Sequence, residues 1–167
     1  MSHSLLAWAL GLSVLLSACA GSPSLQTYQP KSQDEALVVS TLLKIPNGIK
    51  ARALDIILQP YAEDVYVANF HKYLGVAGPT APLSISKADL RAVYAQAFRG
   101  AKEIDMDVKD LQLTVAGDRA TAQARTELLF KLEAGRKEAR QQIFRNDVTW
   151  RLRRGPLGWK IVEEIWE

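Results

Sequence analysis

Apolar residues recur at helical spacing in residues 34–58, and from residue 61 the pattern changes to alternation. Residues 34–45 read DEALVVSTLLKI, which places apolar side chains on one face of a short helix with two acids in its first turn. Pro46–Gly48 interrupts this pattern, and a second amphipathic stretch covers residues 49–58 before Pro60. The pattern therefore predicts two consecutive helices.

A strand and a third helix follow. Residues 61–70, YAEDVYVANF, alternate in polarity as a half-buried strand does. Residues 86–100, SKADLRAVYAQAFRG, return to helical spacing. Ser86 is a suitable N-cap with Asp89 at the third helical position, and Gly100 is a suitable stop. We expect the helix to occupy this whole segment.

The remainder predicts long strands joined by tight turns. Residues 104–115 alternate and then slip by one position, which indicates a β-bulge. Residues 120–132, 144–152 and 159–166 alternate in the same way, with turn sequences between them. Consecutive strands with one apolar face form an antiparallel meander. The fold class predicted is therefore α+β, with helices packed on one antiparallel sheet.

Composition is that of one globular domain. The 167 residues are 48% hydrophobic and 23% charged, which is sufficient for a core and unlike a disordered chain. The net charge of +3 is spread along the sequence, and its densest basic cluster is RLRRG at Arg151–Gly155. We interpret that cluster as a solvated strand end, so no nucleic-acid partner is expected.

The first eighteen residues have the features of a signal peptide. Leu5–Ala18 is an apolar run that is shorter than the roughly twenty residues of a membrane-spanning helix. The only cysteine, Cys19, follows at once, and a polar stretch with serines and prolines occupies residues 20–33. A structural alternative is that Cys19 is a small buried residue of an ordinary helix.

The segment Leu16-Ser17-Ala18-Cys19 resembles the lipobox of bacterial lipoproteins. This resemblance implies cleavage before Cys19 and attachment of fatty acyl chains to it, although MSHS at the start lacks the usual lysine or arginine. Ala20 in place of aspartate implies the outer membrane, facing the periplasm. We therefore predict a signal peptide at 1–18, a lipidated cysteine with a flexible tether at 19–33, and a folded domain at 34–167.

The domain resembles the nuclear transport factor 2-like (NTF2-like) superfamily, which includes SnoaL-like proteins and ketosteroid isomerases. Two stretches carry the resemblance, YAEDVYVANF at 61–70 and Gly158-Trp159-Lys160-Ile161-Val162 in the last strand. The resemblance implies a cone of helices over a curved sheet, with a pocket at the open end. It also places Asn69 where an isomerase has its carboxylate base, and an amide cannot abstract a proton.

Candidate pocket residues come from the strand rows that face the expected cone. Glu163 shares the parity of Trp159 and Ile161, and His71 is the single histidine beyond the signal peptide. Polar residues in otherwise apolar rows either line a cavity or form hydrogen bonds with one another. The full set predicted is Val67, Asn69, His71, Thr126, Leu128, Asn146, Val148, Trp159, Ile161 and Glu163.

We assign no catalytic residue, metal ligand or cofactor from the sequence. We expect a membrane-anchored lipoprotein whose domain binds a small apolar ligand or a cell-envelope protein. The envelope protein, or a second copy of this chain, would bind through the sheet surface. The alternative is an enzyme of the SnoaL or ketosteroid isomerase type, an isomerase, dehydratase or cyclase with a non-standard pocket. Fold alone does not distinguish these functions.

Overall fold

A computed structural model describes residues 22–70, 84–132 and 141–167 of the protein. The described chain is α+β, as predicted, with helices on one face of a curved mixed sheet of six strands. Its helices are α1 (Gln33–Ala51), α2 (Leu54–Leu58) and α3 (Lys87–Gly100). Its strands are β1 (Tyr61–Ala68), β2 (Ser84–Ile85), β3 (Ala101–Ala116), β4 (Arg119–Leu132), β5 (Gln141–Gly155) and β6 (Gly158–Trp166).

The sheet has the strand order β2-β1-β6-β5-β4-β3. The meander of β3 to β6 is antiparallel, as expected, but β1 pairs with β6 in parallel. The expectation of a wholly antiparallel sheet is therefore wrong for this pair of strands. Parallel neighbours need a long crossover connection, and everything between β1 and β6 in the chain supplies it.

The two predicted N-terminal helices are mostly one. Helix α1 runs through Pro46 without a break and ends at Arg52, which adopts a left-handed conformation with φ 53°. Proline removes one backbone hydrogen bond from a helix interior. Here Ile45, Pro46 and Ile49 are all buried against the sheet, so packing outweighs that loss.

Two local predictions are confirmed. Ser86 caps α3 in a reciprocal capping box with Asp89. The slip in β3 is a bulge, because pairing with β4 shifts register between Lys109 and Gln112 and Asp110 has φ 55°. The bulge keeps Val108 and Leu111 on the buried face although they are three residues apart.

The segment before α1 is part of the folded domain. The amide of Leu25 donates to the carbonyl of Val108 at 2.9 Å, and that of Leu111 donates to the carbonyl of Pro23 at 2.9 Å. The side chain of Leu25 is 1% exposed within the hydrophobic core. Pro23 and Leu25 are therefore held against β3, whereas a flexible tether in the rest of residues 19–33 stays a prediction.

The signal peptide and Cys19 lie outside the described residues. Within residues 22–70, 84–132 and 141–167, no helix has both the length and the hydropathy to cross a bilayer.

Candidate functional site

An apolar cleft of about 350 Å³ opens between α3 and the ends of β4 and β5. Helix α3 packs mainly on α2, β1 and the start of β3, which leaves this gap over the neighbouring strands. Two phenyl rings line it, those of Phe130 and Phe144, in edge-to-face contact at 5.9 Å between centroids. The remaining lining residues are Val93, Gln96, Ala97, Leu132 and Gln142.

The lining follows from the two secondary-structure periods. Val93, Gln96 and Ala97 are spaced by three and four residues, so they share one face of α3. Phe130 and Leu132 are spaced by two on β4, so they share the inner face of the sheet. The register pairs Phe130 with Gln142 across β4 and β5, which brings an amide to the apolar wall.

The cleft has the composition of a binding site for a small molecule. Such sites are concave, mostly apolar and about 300–1,000 Å³ in volume, with a few polar groups that orient the ligand. Gln96 and Gln142 supply donors and acceptors here. Among the described lining residues none is ionisable, so the cleft holds no acid, base or charged nucleophile from this part of the chain.

A carboxylate is buried elsewhere in the core. Glu164 is 0% exposed, and its Oε2 accepts hydrogen bonds from the Tyr61 hydroxyl at 2.6 Å and Trp150 Nε1 at 2.7 Å. Its Oε1 accepts from Trp166 Nε1 at 2.8 Å. The four side chains come from β1, β5 and β6, so this network links three adjacent strands.

Burial and hydrogen bonding act on Glu164 in opposite directions. Removal from water raises the pKa of the carboxyl, because the charged form loses its hydration. The donors on Tyr61, Trp150 and Trp166 favour the charged form and lower the pKa, but burial is the larger effect. The group therefore has a raised pKa while both its oxygens are engaged.

The structure corrects the parity predicted for Glu163. In β6 the partner of Arg151 is Glu163, while the partner of Leu152 is Ile161, so Val162 is an extra residue. This bulge moves Glu163 out of the row of residues that face the core. Its side chain is 26% exposed and forms an ion pair with Arg151. The inward carboxylate is Glu164.

The predicted apolar pocket residues lie in the core, away from the cleft lining. Val67, Leu128 and Ile161 are each 0% exposed, and Val148 and Trp159 are also buried. They face the side of the sheet that α1 covers, as their alternation predicts.

The predicted polar candidates are dispersed. Asn69 follows β1 in a left-handed conformation with φ 56° and is half-buried. Thr126 is 0% exposed, and its hydroxyl donates to the backbone carbonyl of Asn146 at 3.1 Å, so this row satisfies itself across the ladder. His71 lies outside the described residues. A ligand-binding role for this set stays a prediction.

The cleft residues were missed as a site, although part of the signal was present. Phe130, Leu132 and Phe144 continue the same alternating rows as Leu128 and Val148. Alternation gives the face of a residue but not its distance from the covering helix. Val93, Gln96 and Ala97 form a helical stripe that sequence alone cannot pair with a particular strand end.

The outer face of the sheet carries charges that neutralise one another. Glu127 accepts from Lys109 at 2.7 Å and from Arg145 at 2.9 Å, and these bonds lower the pKa of Glu127. Arg125 lies between Asp110 and Asp147, at 3.5 and 3.4 Å. Across the described residues, no three His, Cys, Asp or Glu side chains cluster in a way that suits a metal ion.

Comparison with protein-family models identifies the chain. Residues 62–164 match the model of the SnoaL-like domain, so the protein belongs to this family. Its fold is NTF2-like, as the resemblance in the first and last strands implies. A comparison with curated protein sequences finds no match.

Solved structures of similar fold come from several bacteria. The Kfla4162 protein from Kribbella flavida superposes with a TM-score of 0.67 at 15% identity, covering 80% of this chain and 88% of that one. An NTF2-like protein of unknown function from Pseudomonas putida KT2440 gives 0.58 at 18% identity, covering 79% and 84%. A ketosteroid isomerase-like protein from Erwinia carotovora gives 0.58 at 14% identity, covering 81% and 95%. At these identities the likeness concerns the fold alone.

Proposed function

We propose that the protein is a lipid-anchored binding module of the bacterial cell envelope, whose cleft holds a small, mostly apolar molecule without transforming it. The observation that carries the proposal is the cleft of about 350 Å³ with phenyl and aliphatic walls and two amides. The preferred ligand has an apolar ring or short chain and one or two polar groups that pair with Gln96 and Gln142.

Two features favour binding over catalysis. General acid or base catalysis needs an ionisable group within hydrogen-bond reach of the reacting atom. The described cleft lining offers amides only, and Glu164 is enclosed by its three aromatic donors. An isomerase, dehydratase or cyclase activity is the alternative, and it needs a group that this lining lacks.

A protein partner on the sheet face is less well supported than a ligand in the cleft. Cross-strand ion pairs already occupy much of that face, so many of its charges have partners within the sheet. A partner would have to replace them with equivalent contacts. We therefore assign ligand binding to the cleft and keep the sheet face as the second outcome of a binding screen.

The anchor is proposed from Leu16-Ser17-Ala18-Cys19, with the protein held in the outer membrane facing the periplasm. Two or three acyl chains at Cys19 would hold the protein stably, because each buried methylene contributes about 0.8 kcal/mol. Mass analysis of the mature N-terminal peptide tests this directly. An acyl mass on Cys19 that is absent in Cys19→Ala is expected, and an unmodified cysteine would contradict the anchor.

The cleft is tested with the fluorescent probe anilinonaphthalene sulfonate and two matched variants on α3. Ala97 lines the cleft, so Ala97→Trp fills it, whereas Ala92 on the same helix is exposed, so Ala92→Trp leaves it open. We expect probe affinity to fall by about tenfold, or about 1.4 kcal/mol, in the first variant only. Equal affinities in both variants and the unaltered protein would refute binding in the cleft.

A further inference from the structure

The end of the sheet that carries the two short turns has features of a membrane-contact surface. Gly117–Asp118 joins β3 to β4 there, and Pro156–Leu157 joins β5 to β6. Leu157 is 90% exposed, more than the other exposed large hydrophobic side chains of the described residues. A single leucine at the tip of a turn contributes nothing to the core of this domain.

A row of basic residues crosses three strands next to that leucine. Arg119 of β4 is in register with Arg153 of β5, which is in register with Lys160 of β6. Like charges directly opposite one another in a sheet are unfavourable. Within residues 22–70, 84–132 and 141–167, Arg119 forms no ion pair, and Arg153 approaches Asp64 only at 3.9 Å. The half-buried Lys160 donates a hydrogen bond to the backbone carbonyl of Gln59.

Other charges at this end offset the row only in part. Arg154 pairs with Asp34 at 3.0 Å, and Asp118 is the exposed acid of the β3–β4 turn. Arg119 and the loosely paired Arg153 therefore give the turn end a positive surface beside an exposed apolar tip. A phospholipid surface with anionic headgroups offers both the charge and the apolar boundary that such a tip fits.

The direction of the N-terminal segment points to the same end. The Leu25–Val108 and Pro23–Leu111 hydrogen bonds make this segment run antiparallel to β3. From Leu25 back to Pro23, the chain therefore runs in the direction of Ala116 and the Gly117–Asp118 turn. From Pro23 back to Cys19 the chain spans at most about 14 Å, so an acyl anchor on Cys19 would be held near the turn end.

We infer that the turn end of the sheet, with Leu157, Arg119 and Arg153, rests on the anionic phospholipid surface to which the protein is anchored. This inference rests on the proposed anchor at Cys19. It also orients the cleft, whose residue Leu132 is in register with Ala101 at the opposite end of β3. Sixteen residues of strand cover up to about 50 Å, so the cleft would lie far from the bilayer surface.

The test places a tryptophan reporter at each end of β5 in the mature protein, reconstituted in vesicles of brominated phosphatidylglycerol and phosphatidylcholine. Leu157→Trp reports on the turn end, and Ile143→Trp, at an exposed apolar position, is the matched control at the other end. We expect bromine to quench the added fluorescence of Leu157→Trp about twofold and that of Ile143→Trp hardly at all. Charge reversal with Arg119→Glu and Arg153→Glu is expected to reduce the quenching.

The outcomes separate this inference from the anchor. The acyl mass on Cys19 is measured in the same samples. If the cysteine is acylated and the two reporters are quenched equally, or neither is quenched, the orientation is wrong and the anchor stands. If the cysteine carries no acyl chain, the anchor fails and the inference fails with it.

Discussion

Replacing the buried carboxylate of Glu164 by an amide is expected to destabilise the fold. Both carboxyl oxygens accept hydrogen bonds, two at Oε2 and one at Oε1. A glutamine keeps its oxygen best at the Oε2 position, which turns its NH2 group toward the indole N–H of Trp166. Two buried donors then face each other, and the indole N–H is left without its acceptor, which costs about 1–3 kcal/mol.

The effect is measured by urea unfolding at mildly acidic pH, with a neighbouring residue as the control. Glu164→Gln is expected to lower the free energy of unfolding by about 1–3 kcal/mol. Glu163→Gln makes the same chemical change one residue away, where it removes only a partly exposed pair with Arg151. That control is expected to cost about 1 kcal/mol or less.

A double-mutant cycle with Trp166 identifies the responsible contact. Trp166→Phe removes the indole donor, so in the Glu164→Gln background it also removes the conflict between two donors. The phenylalanine substitution should therefore cost about 1 kcal/mol less there than in the unaltered protein. Strictly additive effects, or a Glu164→Gln protein as stable as the original at every pH, would refute the reasoning.

The pH dependence of the same variant follows from the raised pKa. Below the ordinary value of 4.5 the carboxyl is protonated in both the folded and unfolded states, so its stabilising contribution is complete. As the pH rises, the unfolded chain ionises first, and this contribution is lost progressively through the raised folded pKa. The stability gap between the original protein and Glu164→Gln should therefore shrink from about pH 4.5 upward.

Four further substitutions test the packing by thermal or urea unfolding. Leu25→Ala should cost about 2–5 kcal/mol if the N-terminal segment belongs to the core, and a cost near zero would exclude that. Gly48→Ala should destabilise the protein, because a Cβ there would lie 2.6 Å from Ile57 Cγ1. Gly100→Ala is the control, because its Cβ would meet no atom within 4 Å, and it should stabilise the protein by about 0.5–1 kcal/mol. The opposite order of stabilities would contradict the helix packing. Arg52→Ala should cost about 1–3 kcal/mol, because its guanidinium donates to three backbone carbonyls at the end of α3 and start of β3, and an unchanged midpoint would make those bonds irrelevant.

The two bulges explain where alternation succeeds and fails as a guide to the fold. In β3 the slip is visible in the sequence because Leu111, Leu113 and Val115 mark the new parity. In β6 each parity after Val162 carries one acid and one apolar residue, so the pattern is ambiguous. Glu164 is the buried acid because it accepts hydrogen bonds from Tyr61 on β1 and Trp150 on β5, which are distant from it in sequence.

Helix boundaries and the N-terminal segment show the limits of local signals. Pro46 marks a break by propensity alone, yet α1 continues through it because that turn packs on the sheet. The segment around Leu25 has a polar, linker-like composition, and it is held by backbone groups that the β3 bulge exposes. The cleft also depends on tertiary packing, because it lies over the strands that α3 leaves uncovered.

The central claim, a small apolar ligand in the cleft, is tested most directly by native mass spectrometry of the mature protein extracted from a bacterial envelope. The account predicts an adduct that the unaltered protein and Ala92→Trp retain and that Ala97→Trp loses, because only the last substitution fills the cleft. An adduct retained equally by Ala97→Trp, or the absence of any adduct in all three proteins, would contradict it.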